Sequence, residues 1–125
     1  MIRLAIYVAG PLTGDFQAEI AANIRRARDA YDRLCDMGHM PYCPHTQSGH
    51  RARTREELHA SGDVDAEYQR WVVENDFHWL DACDAILLLP GWENSRGSRM
   101  ELARATERNM LIFKNMEEVP HDGTA

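Results

Sequence analysis

Two acidic residues far apart in the chain, Asp76 and Glu101, stand where a carboxyl group could do chemistry. Glu101 closes the segment Leu89-Pro90-Gly91-Trp92-Glu93-Asn94-Ser95-Arg96-Gly97-Ser98-Arg99-Met100-Glu101, which reads as a strand end, a loop and a helix start. Gly91 and Gly97 let the backbone turn tightly and approach a ligand. Free N–H groups near Ser98 and the helix dipole favour an anion, and Ser95 adds a hydroxyl. Such a loop can hold a phosphate or a sugar hydroxyl; it is also what a plain strand-to-helix connection looks like. A carboxylate in the first turn of that helix is expected to stay ionised, as a nucleophile requires, although a solvated first-turn Glu has the same sequence. Asp76 lies in Trp71-Val72-Val73-Glu74-Asn75-Asp76-Phe77-His78-Trp79-Leu80, one residue past an apolar face and among aromatics. Desolvation keeps a carboxyl protonated to higher pH, which suits a general acid. Tyr7 ends the first apolar run, where its hydroxyl could orient a neighbouring carboxylate or simply pack in the core. Asp81 and Asp84 read as turn and cap residues, and His78 as an outer-face or packing residue.

For these side chains to meet, several elements must converge. Ile2 to Ala9 is a short apolar run suited to a strand buried on both faces. Gly10-Pro11-Leu12-Thr13-Gly14 stops it, and Asp15 is a candidate N-cap. From Phe16 to Met37 the positions Ile20, Ile24, Ala27, Tyr31 and Leu34 recur at helical spacing, and Gly38 ends the helix. His39 to Cys43 is a brief strand that Pro41 places at an edge. Residues 44–65 read as a long loop carrying several His and Arg. A second helix runs from about Val64 to about Asp81, with Tyr68, Trp71, Val72, Asn75 and Trp79 as its inward stripe. Ala85 to Leu89 is the clearest strand, a third helix covers about Ser98 to Asn109, and Leu111-Ile112-Phe113 is a last strand before a polar, frayed tail at 115–125.

Strands alternating with helices predict an α/β fold with a parallel sheet and helices on both faces. Ligands of such sheets sit beyond the carboxyl ends of the strands. That rule selects Tyr7 to Gly14, the stretch from Cys43, and Pro90 to Glu101. Gly10 and Pro11 from the first, and Gly91, Trp92, Ser95, Arg96, Gly97 and Ser98 from the last, are the candidate substrate-binding residues.

Composition narrows the options. A chain of 125 residues with 44% apolar residues makes one domain with one core. Its 14 Lys and Arg against 20 Asp and Glu give a net charge of −6, which disfavours a nucleic-acid polymer as partner but leaves room for a small anionic ligand. Cys35, Cys43 and Cys83 show no paired short spacing and read as buried reduced thiols. No apolar run is long enough to cross a membrane, so a cytoplasmic protein is expected. A metal hydrolase built on His45, His50 and His59 is disfavoured, because their spacing is not that of a helix-borne metal pair.

Three stretches together resemble the nucleoside 2-deoxyribosyltransferase-like superfamily, most closely its short bacterial and phage branch. They are Tyr7-Val8-Ala9-Gly10-Pro11-Leu12-Thr13-Gly14, then Asn75-Asp76 before Leu80 and Cys83-Asp84, then Gly91-Trp92-x-x-Ser95-x-Gly97-x-x-x-Glu101. The resemblance implies a flavodoxin-like, Rossmann-like three-layer sandwich with a small parallel sheet of about four strands in the order 2-1-3-4. It also implies cleavage of an N-glycosidic bond without metal or organic cofactor. Glu101 matches the family's nucleophile, Asp76 the acid beside the leaving base, and Tyr7 the hydroxyl bonded to the nucleophile. Where the transferases carry an Asp that binds sugar hydroxyls, this chain has Ser95, as do the 2′-deoxynucleoside 5′-phosphate N-hydrolases, which use the Ser on the 5′-phosphate. The hydrolases' Arg in the first loop has no counterpart between Gly10 and Phe16, so Arg96, Arg99 or an Arg of the long loop would serve.

The expected activity is cleavage of a (2′-deoxy)nucleoside 5′-monophosphate or nucleoside, with hydrolysis favoured over base exchange. A non-catalytic nucleotide-binding module is the rival from another class. The family's shared sites, with Trp71 and Trp79 on one helix, predict a homodimer or higher homo-oligomer.

Overall fold

The computed structural model describes residues 2–48 and 52–121. Four strands, β1 (Ala5–Ala9), β2 (Met40–Tyr42), β3 (Ala85–Leu88) and β4 (Leu111–Phe113), form one parallel sheet in the order β2-β1-β3-β4. This is the α/β architecture and strand order the sequence predicts. β1 and β3 are central and almost wholly apolar because both their faces are covered. Pro41 sits in the edge strand β2, where its missing N–H costs the sheet nothing.

The pleat of β1 sorts its side chains between two cores. Ile6 and Val8 point to one face and meet Ala27, Ala30 and Leu34 of α1 (Gln17–Asp36). Tyr7 and Ala9 point to the other and meet Leu80 and Ala105. That second face is covered by a long helical segment, α4 (Val64–Tyr68), a π-helical stretch (Gln69–Asp76) and α5 (Phe77–Asp81), and by α6 (Arg96–Glu107). Asp81 fastens α5 to α6 by accepting bonds from Arg104 at 2.7 and 3.0 Å, with Arg108 at 3.3 Å. It therefore acts as a bracket between helices rather than as a turn residue. Asp84, just before β3, ties that strand's entry to the start of β1 by accepting the Ala5 N–H at 2.8 Å.

Several boundaries differ from the sequence reading, each for a local reason. Asp15 does not cap α1; Phe16 holds the N-cap position and the Asp15 carboxylate pairs with Arg55. Residues 44–65 are not a plain loop. They contain α2 (Pro44–Ser48) and α3 (Arg55–Ala60), the latter started by a capping box between Thr54 and Glu57. His50 lies outside the described residues. Cys35 is exposed and Cys83 half-buried, so only Cys43 is a buried thiol. No helix among the described residues is long and apolar enough to cross a membrane.

Residues 115–121 are also more ordered than their polarity suggests, and the rest of the expected frayed tail, 122–125, lies outside the described residues. A 3-10 turn, Met116–Glu118, delivers Val119 into the α1-side core, where it is 4% exposed. His39 clamps it: its Nδ1 accepts the Leu4 N–H at 3.1 Å, while its Nε2–H donates to the Pro120 carbonyl. Val119→Ala should therefore cost about 2 kcal/mol of stability, from lost apolar burial and the void left behind. Urea denaturation followed by circular dichroism measures it, with an unchanged slope expected.

Candidate active site

Glu101 projects from the sheet-facing side of α6 and is 5% exposed. Tyr7, fully buried on β1, donates its hydroxyl to Glu101 Oε2. Asp76 ends the π-helical stretch, where Asn75 Nδ2 donates to its Oδ1 at 3.0 Å. The Asp76 and Glu101 carboxyl groups bond to each other, so three groups from β1, the π stretch and α6 meet at one point. Tyr7 stands in the middle of β1, and Asp76 and Glu101 both line a cavity of about 590 Å³ that the loops after β1 and β3 also line.

The π stretch determines what faces inward. A wider turn takes more residues per revolution than an α-helix, so the stripe lags after eight residues. Val72 and Leu80 are buried, whereas Trp79, read as inward, is 50% exposed and stacks on Tyr42 at 4.9 Å. Tyr42 stacks in turn on Tyr7 at 5.8 Å. Asp76 stays on the cavity side, beside Tyr68, Trp71 and Val72 of the same wall.

The charge state of Glu101 is not the one its helix position suggests. α6 starts at Arg96, two residues earlier than expected, with Ser95 as N-cap accepting the Ser98 N–H at 3.3 Å. Glu101 thus falls in the second turn, past the reach of the dipole's strongest effect. Burial and the neighbouring Asp76 charge push its carboxyl well above the usual range, against a lowering by the Tyr7 hydroxyl. Burial also pushes Asp76 up, to about 6, against bonds from Asn75, Glu101 and Tyr7 that lower it. Two carboxylates this close in a dry site cannot both be ionised, so near neutral pH the pair carries one proton. Tyr7 is driven well above its ordinary value by burial and by the Glu101 and Asp76 charges, and it remains a donor.

The loops around the pair are sterically fixed. A Cβ on Gly10 would lie 2.8 Å from Leu89 Cβ, and Gly91 has φ +89° with Pro11 3.1 Å from where its Cβ would stand. Gly97, by contrast, is an ordinary helical residue that would meet Val72 no closer than 3.6 Å. Gly10, Pro11, Gly91, Ser95, Arg96, Gly97 and Ser98 all line the cavity. Trp92 does not; it packs into the core beside Tyr7 and Leu88, because the 3-10 turn Trp92–Asn94 turns it inward. Ser98 is 1% exposed, and its hydroxyl has no partner among the described residues. Arg96 is stacked on Tyr68 at 4.4 Å and paired with Asp65 at 2.8 Å, and Arg99 donates to the Glu93 carbonyl at 2.8 Å.

Two buried polar residues of the site escape a reading of the sequence. His45, the second residue of α2, donates from Nε2 to the Gly10 and Pro11 carbonyls at 3.0 Å each. Burial lowers its pKa, so it stays neutral and braces the first loop. Asn23 donates to the Leu12 carbonyl at 3.1 Å and accepts from Arg26. A polar residue in phase with Ile20 and Ala27 on the apolar face of α1 was its only signal. No group of three or more His, Cys, Asp or Glu among the described residues is placed to hold a metal ion.

Fold and site define an α/β protein with a paired-carboxyl cavity at the carboxyl edge of a parallel sheet. The chain belongs to a family described as a domain of unknown function, DUF4406, which matches residues 4–114. No curated protein matches it.

The raised Asp76 value has a stability consequence. Asp76 contributes stability below its ordinary value of 3.8, and that contribution is lost as pH rises through about 6. Asp76→Asn should therefore gain thermal stability relative to the wild type as pH is raised from about 4 to about 8. Parallel melting curves across that range test the sign.

Proposed function

We propose that this chain is a glycosidase-type enzyme that cleaves the N-glycosidic bond of a (2′-deoxy)nucleoside 5′-monophosphate or nucleoside. The observation that carries this reading is the contact between Asp76 and Glu101, with the Tyr7 hydroxyl on Glu101, inside a cavity of ligand size. Carboxyl groups in contact suit a double displacement through a covalent intermediate; an inverting mechanism needs room for a water between them.

The shared proton divides the labour. Transfer of that proton from Glu101 to Asp76 leaves a carboxylate nucleophile and an adjacent acid. Glu101 Oε attacks C1′ as the C1′–N bond breaks, and Asp76 gives its proton to the departing base. The oxocarbenium-like transition state leads to a glycosyl ester of Glu101. A water then attacks C1′, Asp76 takes its proton, and Glu101 leaves; a second base in place of water would make the enzyme a transferase. The Tyr7 hydroxyl holds the Glu101 oxygen that does not attack. Ser95, the first N–H groups of α6, and Arg96 or Arg99 suit a 5′-phosphate, and the unpaired Ser98 hydroxyl suits the sugar. A hydroxyl at position 95 fits a phosphate better than a carboxylate would, which favours the hydrolase branch.

In this reading the protein is a cytoplasmic relative of the nucleoside 2-deoxyribosyltransferase-like superfamily and works as a homo-oligomer. The exposed Trp79, Met40 and Leu111 are apolar surface that a second copy would cover. Light scattering at micromolar concentration should return at least a dimer, and a monomer would remove that part of the reading. The rival is a nucleotide-binding module in which Glu101 merely contacts the ribose.

Release of free base from a panel of nucleosides and nucleoside monophosphates, followed by chromatography, separates the two. Glu101→Ala should lower turnover by about 10⁴-fold or more while leaving the circular dichroism spectrum unchanged. Asp76→Asn should lower it by about 10²- to 10⁴-fold. The singly protonated pair is the active form, so kcat/KM should rise with pH up to about 6, where Asp76 ionises, and then level. Binding without base release, or wild-type turnover in Glu101→Ala, would leave the rival standing.

A further inference from the structure

Five arginines, Arg26, Arg53, Arg55, Arg96 and Arg99, line the cavity of a chain whose net charge is −6; the acidic residues that line it with them are Glu19, Glu67, Asp76 and Glu101. One wall is α6 and α4, with Arg96 and Arg99 beside the first turn of α6. The other is α1 and the segment before α3, with Arg26, Arg53 and Arg55. A single 5′-phosphate at the α6 turn uses only the first wall.

The second wall is held in place by buried groups. Asn23, 5% exposed, is bonded to the Leu12 carbonyl and accepts a bond from the Arg26 guanidinium, which fixes that side chain to the first loop. The backbone around Arg53 is pinned on its carboxyl side. Thr54 is buried in its capping box, the Arg55 N–H donates to the Gly14 carbonyl at 2.9 Å, and the Arg55 side chain is spent on Asp15. Arg26 and Arg53 are thus the cations of this wall left to face the cavity. The two walls meet at the first loop, where Pro11 packs against Gly91. Neighbouring cation sets that join at one loop suit consecutive anionic groups of one ligand.

We infer that Arg26 and Arg53 form a second anion subsite, and that the preferred ligand is a nucleoside 5′-diphosphate or longer phosphate chain, its first phosphate at the α6 turn and its second at these two arginines. The inference rests on the glycosidase reading for its chemistry but not for its binding geometry.

The test compares nucleoside 5′-mono- and diphosphates of the four common bases. Base release by the wild type should be about tenfold or more faster, as kcat/KM, from the diphosphate, the size expected for one or two charge-assisted hydrogen bonds. Arg26→Ala/Arg53→Ala should erase that preference, losing about tenfold more on the diphosphate than on the monophosphate. Calorimetric binding to Glu101→Gln separates this inference from the reading beneath it. If no nucleotide releases base, yet diphosphate binds about tenfold tighter than monophosphate and the double variant removes the difference, the subsite stands and the glycosidase falls. Equal handling of mono- and diphosphate by the wild type, an equal loss on both in the double variant, or no binding of either overturns the subsite.

Discussion

Two carboxyl groups in one water-poor hollow cannot both carry a charge, and most of the local structure around this site follows from that constraint. Asp76 and Glu101 are both pushed toward their protonated forms by burial; the Asp76 charge pushes Glu101 further, while the bond from Glu101 pulls Asp76 back down. One retained proton resolves the conflict. The Tyr7 hydroxyl supplies a further donor from the middle of the central strand β1, the position that the sequence reading put at a strand end. Such an arrangement costs stability and persists because the surrounding framework over-determines it.

That framework is the sheet. β1 delivers Tyr7 to one face through its pleat and the first loop through its end. The π stretch delivers Asp76, and α6 delivers Glu101 in its second turn past the Ser95 cap. His45 and Asn23 brace the first loop from below and from the side. The site is therefore carried by elements whose positions depend on the two cores, so loss of a core contact such as Leu80 or Ala105 would be felt at the carboxyl pair.

Electrostatics act at two scales. The molecule as a whole is acidic, yet its cavity is rimmed by arginines, several of them occupied by neighbours. Arg96 is shared between Asp65 and the ring of Tyr68, and Asp65 is largely exposed, so that pair is cheap to exchange for a better anion. Local charge, not net charge, governs what such a cavity attracts.

Hydrophobic period and turn residues were enough to read the strands, α1 and the three loops that flank the cavity, because burial on both faces leaves a continuous apolar signature, whereas the strand order came from the family resemblance. Asp76, Glu101 and Tyr7 were legible as candidates from their neighbours. Their meeting was not, since residues 7, 76 and 101 touch only when the sheet closes. Nor was the protonation of Glu101, which depends on burial and on Asp76 rather than on its place near a helix start. The rotation of Trp79 outward and the packing of Trp92 against the core also lay beyond reach. A π turn and a 3-10 turn shift a side chain by a fraction of a turn, and the one-dimensional pattern does not encode so small a rotation, whereas the capping box of α3 stands in the sequence as Thr54-x-x-Glu57. The sequence by itself determined which residues were available and on which elements; tertiary packing decided which of them share a proton, because that depends on distance and dielectric, neither of which exists before the chain is folded.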